Sequence, residues 1–567
     1  MKVSYSKSKN TTLYYLSKSI WVNGKSTTKT IEFLGSDEDI RKREGVEDAY
    51  EWAKQYARER TKQEKEAHRE IILKYSPAKQ IKKDEQRSVN IGYLFLQDIY
   101  YELGLNKICS EIKKKYKFTY DLNSILSCLV YSRILFPASK RRTLEDARCF
   151  LEAPSIDLQH MYRGLEYLCR ENDLIQASLY KNSLKVTERK NHILYYDCTN
   201  YYFEIESDDE FRKYGFSKEN RPNPIVQMGL FMDGDGIPLS FTIFEGNKNE
   251  QGSMTPLEQK IMSDFGLKQF VVCTDSGLSS LANRKFNNVS NRKYITVQSI
   301  KKLKAFLQDF CLGDDKWKLP GSKKEYKISE LDAEKDFDKV FYKERWINED
   351  GLEQRLIVTF SLKYKNYQKT IRDRQVEKAA KATNASKEHF RPNDYKRFIE
   401  DTYCTDDGEI ASNKKRSVDT KKVQNEEKYD GFYAVCTNLK DDASAIIAVN
   451  HRRWEIEECF RIMKTEFKGR PVYLSRRDRI TAHFLTCFIS LIVYRILEKK
   501  LKDKYTCEDI IRTLRSMGML VADTEGYIPE YTRTDLTDDL HEAFGFRTDY
   551  QIVSKKEMKK ICSATKK

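Results

Sequence analysis

The chain has 567 residues, with 102 Lys and Arg against 86 Asp and Glu, a net charge of +16 and a pI of about 9.0. That length calls for several domains or one domain with large insertions, and 40% hydrophobic residues exclude a chain that is disordered throughout. A surface this basic points to a polyanionic partner, with nucleic acid the first candidate. Thirteen Cys occur without a CxxC pair and seven His without HxxxH spacing, which argues against structural zinc and against a disulfide scaffold. Most Cys read as small buried residues of a reducing cytoplasm, and no signal or lipidation motif is visible.

In chain order, Thr12 to Val22 and Ser26 to Leu34 are β-rich, with Asn23-Gly24 between them as a hairpin turn. A charged helix follows from about Val46 to Leu73. Its acids and bases nearly balance, which favours a solvated face over a DNA-tracking arm. From 76 to 190 the pattern is mainly helical, with apolar spacing near 3.6 in Ile91 to Leu103, Leu122 to Leu135 and Met161 to Leu184. Phe136-Pro137 ends the second of these. The basic cluster after it, Lys140, Arg141 and Arg142, is a candidate phosphate contact or plain solvated surface.

At Asn191 the texture changes to strands. His192 to Tyr196 is apolar, and Asp197 interrupts it in YYDCTNYYFE. A carboxylate there is costly without a partner or a cation. Val226 to Met232 and Ile237 to Glu245 follow, joined by the turn Asp233-Gly234-Asp235-Gly236. Those two Asp look like a metal pair but read better as turn residues. A helix fits Met254 to Phe265 with Ser253 as N-cap, and Gln269 to Thr274 is a short buried strand ending at Asp275. A helix through Leu281 to Phe286 and a strand Tyr294 to Val297 complete a mixed sheet with helices packed on it. Asp275 also reads as a plain turn or helix-cap residue. If the strands carrying Asp197 and Asp275 are neighbours, the two carboxylates converge.

Residues 300–445 are charged and strand-rich, and are expected to form an insertion with its own β fold; Trp317 and Trp346 are expected in its small core. Asn450 to Phe467, NHRRWEIEECFRIMKTEF, then reads as one helix. Trp454, Ile456, Phe460 and Met463 suit a core, while Arg453, Glu457, Arg461 and Lys464 share another face. That face is either a salt-bridge ladder or a metal-binding Glu between cations that hold phosphates. Ile480 to Leu497 is a long apolar run, but its Thr, His, Ser and Arg fit a buried helix better than a membrane span. His451 and His483 read as structural.

The stretches YYDCTNYYFE, GLFMDGDGIPLSFTIFEGN, VVCTDSGLSS, YDGFYAVCTN and RRWEIEECFRIMK, in this order across roughly 190–500, resemble the DDE transposases of bacterial insertion sequences. The branch they resemble most has a β-rich insertion between the second Asp and the Glu. The resemblance implies an α+β, RNase H-like (retroviral-integrase-like) core in which Asp197, Asp275 and Glu457 hold two Mg²⁺ ions, with Mn²⁺ as an alternative. It also implies a Tyr-Arg-Glu-Lys signature in which Arg453, Glu457 and Lys464 match and Asn450 stands at the Tyr position. In relatives that Tyr helps hold a phosphate.

The organisation expected is a hairpin and charged helix over 1–75, a helical DNA-binding region over 76–190, and the catalytic core over 191–299 and 446–500. The insertion lies between the two core segments, and a helical region covers 501–567. The implied partner is double-stranded DNA, at inverted-repeat ends and at the target. DNA contacts would come from Asn450, Arg453, Arg461, Lys464, Lys140, Arg141 and Arg142, in a homodimeric synaptic complex, in the cytoplasm and off the membrane. The alternatives are an RNase H-like nuclease that cuts without joining, and a transposase-derived DNA-binding protein.

Overall fold

The computed structural model describes all residues except 9–10, 23–24, 68–70, 72–75, 290, 383–393, 405–409 and 523–524. The turn expected at Asn23-Gly24 and the last residues of the charged helix expected to Leu73 therefore lie outside the described residues. The chain divides into two compact units, Met1–Glu85 with Ala522–Glu525, and Gln86–Val521 with Gly526–Lys567.

The first unit is a three-stranded antiparallel sheet in the order β1 (Lys2–Lys7), β2 (Thr12–Val22), β3 (Lys25–Ser36), with helices α1 (Asp37–Glu44) and α2 (Ala49–Ala67). Alternation along the strands turns Tyr14, Leu16 and Leu34 inward, where Ile40 and the alanines at 49, 53 and 57 meet them. Alanine every fourth residue gives α2 a flat stripe that lies close on the sheet.

The second unit begins with β4 (Ser88–Asn90) and six helices. These are α3 (Tyr93–Glu102), α4 (Leu105–Tyr116), α5 (Leu122–Leu135), α6 (Lys140–Asp146), α7 (Leu158–Arg170) and α8 (Asn172–Val186). The helix expected over 161–184 is thus two helices. They part at buried Glu171, whose carboxylate accepts bonds from Lys115 Nζ and Tyr116 Oη, both at 2.6 Å.

The sheet that follows contains β5 (Ile193–Tyr202), β6 (Ile225–Asp233), β7 (Pro238–Glu245), β8 (Phe270–Thr274) and β9 (Arg292–Val297). β5, β6 and β7 are antiparallel neighbours; β8 pairs parallel to β5, and β9 parallel to β8. Helices α9 (Met254–Asp264) and α10 (Leu281–Phe286) make the crossovers. This is the mixed sheet expected of an RNase H-like core. Ser253 precedes α9 but does not cap it: its hydroxyl donates to Glu250 O and pairs with Tyr196 Oη. In the β6–β7 turn Asp233 accepts backbone bonds from Asp235 and Ile237 at 3.0 Å and is paired with buried Arg189 at 2.5 Å. Asp233 is therefore a turn residue.

Each face of this sheet has its own core. Leu194, Tyr196, Cys198 and Val272 face α9. Tyr195, Tyr201 and Cys273 face the opposite way, toward the helices of the C-terminal part. With a period of two, Asp197 joins Tyr195 and Tyr201, and Asp275 joins Cys273. The two acids are on one face of the sheet.

The insertion has α11 (Ala305–Leu312), β10 (Trp317–Lys318), β11 (Glu325–Tyr326), β12 (Phe341–Glu349), β13 (Leu352–Phe360), α12 (Leu362–Lys381), β14 (Ile399–Cys404), β15 (Ile410–Val418) and α13 (Thr420–Glu427). It ends at β16 (Phe432–Thr437). It is not a separate β fold. β16 pairs with β9 on one side and β13 on the other, so one ten-stranded sheet runs β11-β10-β12-β13-β16-β9-β8-β5-β6-β7. Among the described residues of the insertion, β14 and β15 alone pair outside this sheet, with each other. Trp317 is fully buried in this extension, whereas Trp346 on β12 is 45% exposed and belongs to no core.

The stretch from Asn450 to Phe467 is likewise not one helix. α14 (Ala443–His451) ends in a turn at Arg452 and Arg453, α15 (Trp454–Arg461) follows, and Ile462–Glu466 form a π-helical turn. The break swings Trp454 out to solvent, while Ile456, Cys459, Phe460 and Met463 remain in the core. α16 (Arg477–Lys500) is long and apolar enough to cross a membrane, but it is buried, packed on α7, α5, α3 and β7. α17 (Cys507–Ser516), α18 (Asp535–Phe544) and α19 (Lys555–Ala564) close the unit, with three short strands that extend β4 into a small sheet.

Candidate active site

β5 and β8 are parallel neighbours with Tyr196 opposite Thr274. One residue further along stand Asp197, within β5, and Asp275, just past the end of β8, where neighbouring strands run about 4.8 Å apart. The sequence order of strands and helices, rather than any local motif, brings them together. Asp197 accepts from the backbone N–H of Cys198 at 2.7 Å. Burial, and next the charge of Asp275, push its carboxyl up to about 6, against the opposing pull of Lys218 and Arg453. Asp275 accepts from the N–H groups of Gly277 at 2.9 Å and Leu278 at 3.2 Å. It does make the turn expected of an Asp-Ser-Gly sequence, and from that turn its charge acts on Asp197.

The helix face across from these acids carries the other candidates. Arg453 stands in the turn that opens α15, close enough for its guanidinium to feel Asp275 and Asp197. Lys464, in the π turn, is nearly buried and lies beside Tyr201, with Nζ 3.1 Å from Glu219 Oε1. Burial, and then nearby Lys218, lower its ammonium to about 8, while Asp197 opposes the shift. Glu457 lies between them in sequence, on α15, but the turn at Arg453 and the π turn at Lys464 interrupt the regular helical spacing, and among the described residues no contact ties it to Asp197 or Asp275. It is exposed and has no ion-pair or hydrogen-bond partner among the described residues. Its neighbours differ: Glu455 pairs with Arg452 at 3.0 Å and Glu458 with Arg461 at 2.7 Å.

Other expected contacts are placed elsewhere. Arg461 is held by Glu458 and Glu466 and does not join the acids' surroundings. Asn450 is buried at the end of α14. Its Oδ1 accepts from the Cys273 thiol at 3.8 Å, and its Nδ2 donates to the Tyr433 hydroxyl at 3.2 Å. Burial and these two bonds hold the amide in the interior, although one Nδ2 hydrogen is left over, so Asn450 is not the exposed phosphate donor that the expected DNA contact calls for. Lys140 is also a correction. Ser139 caps α6, and Lys140 after it is buried beside Arg133, its ammonium without a hydrogen-bond partner among the described residues. Arg141 and Arg142 do lie on the surface, paired with Glu145 and Asp146.

Residues that sequence reasoning missed come from the loop between β5 and β6. Lys218 donates to Cys198 O and pairs with Glu250 at 3.3 Å. Its ammonium is raised although burial opposes this; Asp197 and then Glu250 outweigh it. Glu219 next to it binds Lys464 and Arg470. The only signal in the sequence was a charged loop set between two apolar strands. Tyr433, on β16, was read only as part of a strand. Its hydroxyl accepts from Asn450, which leaves its own proton free to be donated.

The surroundings fit a divalent cation. Two carboxylates held side by side repel one another, and hard oxygen donors suit Mg²⁺. In a second group of candidate ligands, Asp538, His541 and Asp549, the two carboxylates and the His541 Nε2 are already engaged, while His541 Nδ1 has no hydrogen-bond partner among the described residues. Arg547 Nη2 holds Asp538 at 2.8 Å and Asp549 at 2.5 Å, and the Thr548 N–H donates to His541 Nε2 at 3.2 Å.

Comparison with protein-family models matches residues 202–493, just over half of the chain, to the family described as "Transposase DDE domain". The match includes Asp275 and Glu457 and begins five residues after Asp197. Comparison with curated protein sequences gives no significant match. Among solved structures, the chain is similar at 8% identity and a TM-score of 0.36 to the piggyBac transposase in a synaptic complex with hairpin DNA, covering 85% of this chain and 88% of that one.

Proposed function

Because the chain belongs to the transposase DDE-domain family, we propose that it is the transposase of an insertion sequence, which binds the element's ends, cuts DNA strands there and joins the freed 3′-OH to target DNA. The observation that supports this reading best is the β5–β8 register, which sets Asp197 beside Asp275 on the face that meets Arg453 and Lys464.

Asp197, Asp275 and Glu457 would hold two Mg²⁺ ions, with Mn²⁺ as the alternative, and such ions when bound activate a water and stabilise a leaving oxygen. The remaining work falls to the chain's own cations. Arg453 offers a planar fork for two oxygens of one phosphate, and Lys464 and Lys218 offer point charges. Together they draw the DNA backbone over the acids and offset its charge. Lys464, nearly buried beside Tyr201, has little freedom to lose when it engages a phosphate. A homodimer would bring two element ends together.

The test uses duplexes made from the DNA that flanks the coding region. Wild type should nick them in Mg²⁺, and a 3′-OH end should join a target plasmid. Asp197→Ala and Asp275→Ala should lose cleavage, by at least about 10³-fold, and keep DNA affinity within a few-fold. Nicking by either variant at the wild-type rate would refute the assignment, and nicking without joining would leave a nuclease.

A further inference from the structure

The first unit carries a groove of about 760 Å³ between α2 and the edge strand β1, and the cations Lys2, Lys54, Arg58, Lys62 and Lys65 line it. No carboxylate lines it among the described residues. Along the sequence, α2 reads as evenly mixed charge. The fold sorts that charge. Glu64 turns to the sheet and pairs with Lys18, and Arg60 reaches Glu32 on β3. Lys54, Arg58, Thr61 and Lys65 recur at steps of four, three and four, which is one helical face, with Lys62 beside it. Arg58, Lys62 and Lys65 are exposed and, with Lys2, have no ion-pair partner among the described residues; Lys54 alone is paired, with Glu51.

A solvated helix face normally intersperses acids with bases, because like charges four residues apart repel. Along this side of the groove Arg58, Lys62 and Lys65, the cations without an ion-pair partner among the described residues, keep that repulsion unless an anion offsets it. From Lys54 to Lys65 the helix rises about 16 Å, and over that length one strand of a duplex presents about five phosphates. A small anion would occupy one end of such a row; a polymer with evenly spaced charge fits all of it.

We propose that this groove docks the phosphate backbone of double-stranded DNA, following one strand without reading its bases. It would hold the DNA at a place separate from the three acids, and it rests on the transposase reading only in taking DNA as the partner.

The experiment measures binding of the full-length protein to a duplex of unrelated sequence. It is done in EDTA, so cleavage plays no part, over a range of salt. The triple variant Arg58→Gln, Lys62→Gln, Lys65→Gln changes only exposed side chains. It should bind at least about 10-fold more weakly at ~0.1 M salt, and its log–log salt slope should be shallower by up to ~2.7. Lys2→Gln with Lys54→Gln should act in the same direction by up to ~1.8. The control removes three lysines that are paired with acids, Lys327→Gln, Lys335→Gln and Lys339→Gln. If wild type binds and the triple variant behaves like this control, the groove assignment is wrong. A loss seen only with single-stranded DNA would overturn the duplex assignment. If wild type itself does not bind, the DNA reading of the whole chain fails instead.

Discussion

Asp197 is the clearest case of a residue kept against its own cost to folding. Its neighbours on β5 are apolar, and its carboxyl is raised to about 6 because burial and Asp275 disfavour the charge. An acid whose folded pKa lies above its unfolded value binds more protons when folded. Stability is therefore intact below about pH 4 and is lost as the pH rises through 6. Asp197→Asn should consequently melt higher than wild type at pH 7.5 in EDTA, by at most about 3 kcal/mol. Added Mg²⁺ should raise the wild-type melting temperature and leave the variant's unchanged. Equal responses to Mg²⁺ would remove Asp197 from the cation site. Lys140 has the opposite sign. Burial, and then Arg133, lower its ammonium to about 7, so between pH 7 and about 10.4 the unfolded chain binds the extra proton and stability rises with pH. Lys140→Met should stabilise the protein, more at pH 6 than at pH 8.5, by denaturant midpoints. A loss of DNA affinity at unchanged stability would instead restore Lys140 as a surface contact.

At the scale of elements, the proposed site turns on which glutamate of α15 joins the two Asp. Successive residues differ by about 100°, so Glu455, Glu457 and Glu458 cannot share a direction. Glu455 and Glu458 are already committed to Arg452 and Arg461. Glu457→Gln should abolish Mg²⁺-dependent nicking, while Glu455→Gln and Glu458→Gln should each cost about 0–1 kcal/mol, the scale of a surface ion pair. If Glu458→Gln stops nicking and Glu457→Gln does not, the helix face is misassigned. The buried side was legible only in part: Ile456, Phe460 and Met463 are buried as expected, whereas Trp454, expected with them, is exposed and Cys459 is buried instead. The break at Arg452 and Arg453 was not legible, since neither Gly nor Pro announces it. It is made by tertiary packing: Asn450 is anchored to Cys273 and Tyr433, and Arg453 turns toward the acids. Asp197 and Asp275 were legible for a different reason. A carboxylate next to an apolar strand stands out in any sequence, and the order of strands and helices made the two strands neighbours. Lys218, Glu219 and Tyr433 were hidden because each reaches the site through a long-range contact, with nothing around it in the sequence to mark it.

Over the whole second unit, the main departure from the sequence reading is the continuity of the sheet. A charged, strand-rich insertion reads as a separate fold, because nothing in its strands says which edge they seek. β9 supplies that edge. Val435, Cys436 and Thr437 of β16 pair with Val297, Thr296 and Ile295, and β13 then pairs with β16 over six residues. Gly431, at a φ of +84°, makes the turn that starts β16, and a Cβ there would strike Phe360 and Ser361. β16 leads directly to α14, so the extension fixes the position of Asn450 and Arg453. An extension bonded this way should not melt separately from the strands that hold Asp197 and Asp275. Trp317 reports on it, being fully buried there against Phe360 and Phe432. The fluorescence difference between wild type and Trp317→Phe isolates its signal during denaturation. That transition should coincide with the loss of Mg²⁺-dependent nicking after the same denaturant exposure. The same connection predicts the effect of a break at the shared edge. Leu356→Asp buries a charge in β13 opposite Cys436. It should abolish cleavage and soluble expression together, although Leu356 is remote in sequence from all three acids. A Leu356→Asp protein that stays folded and nicks DNA would show that the core stands without its extension.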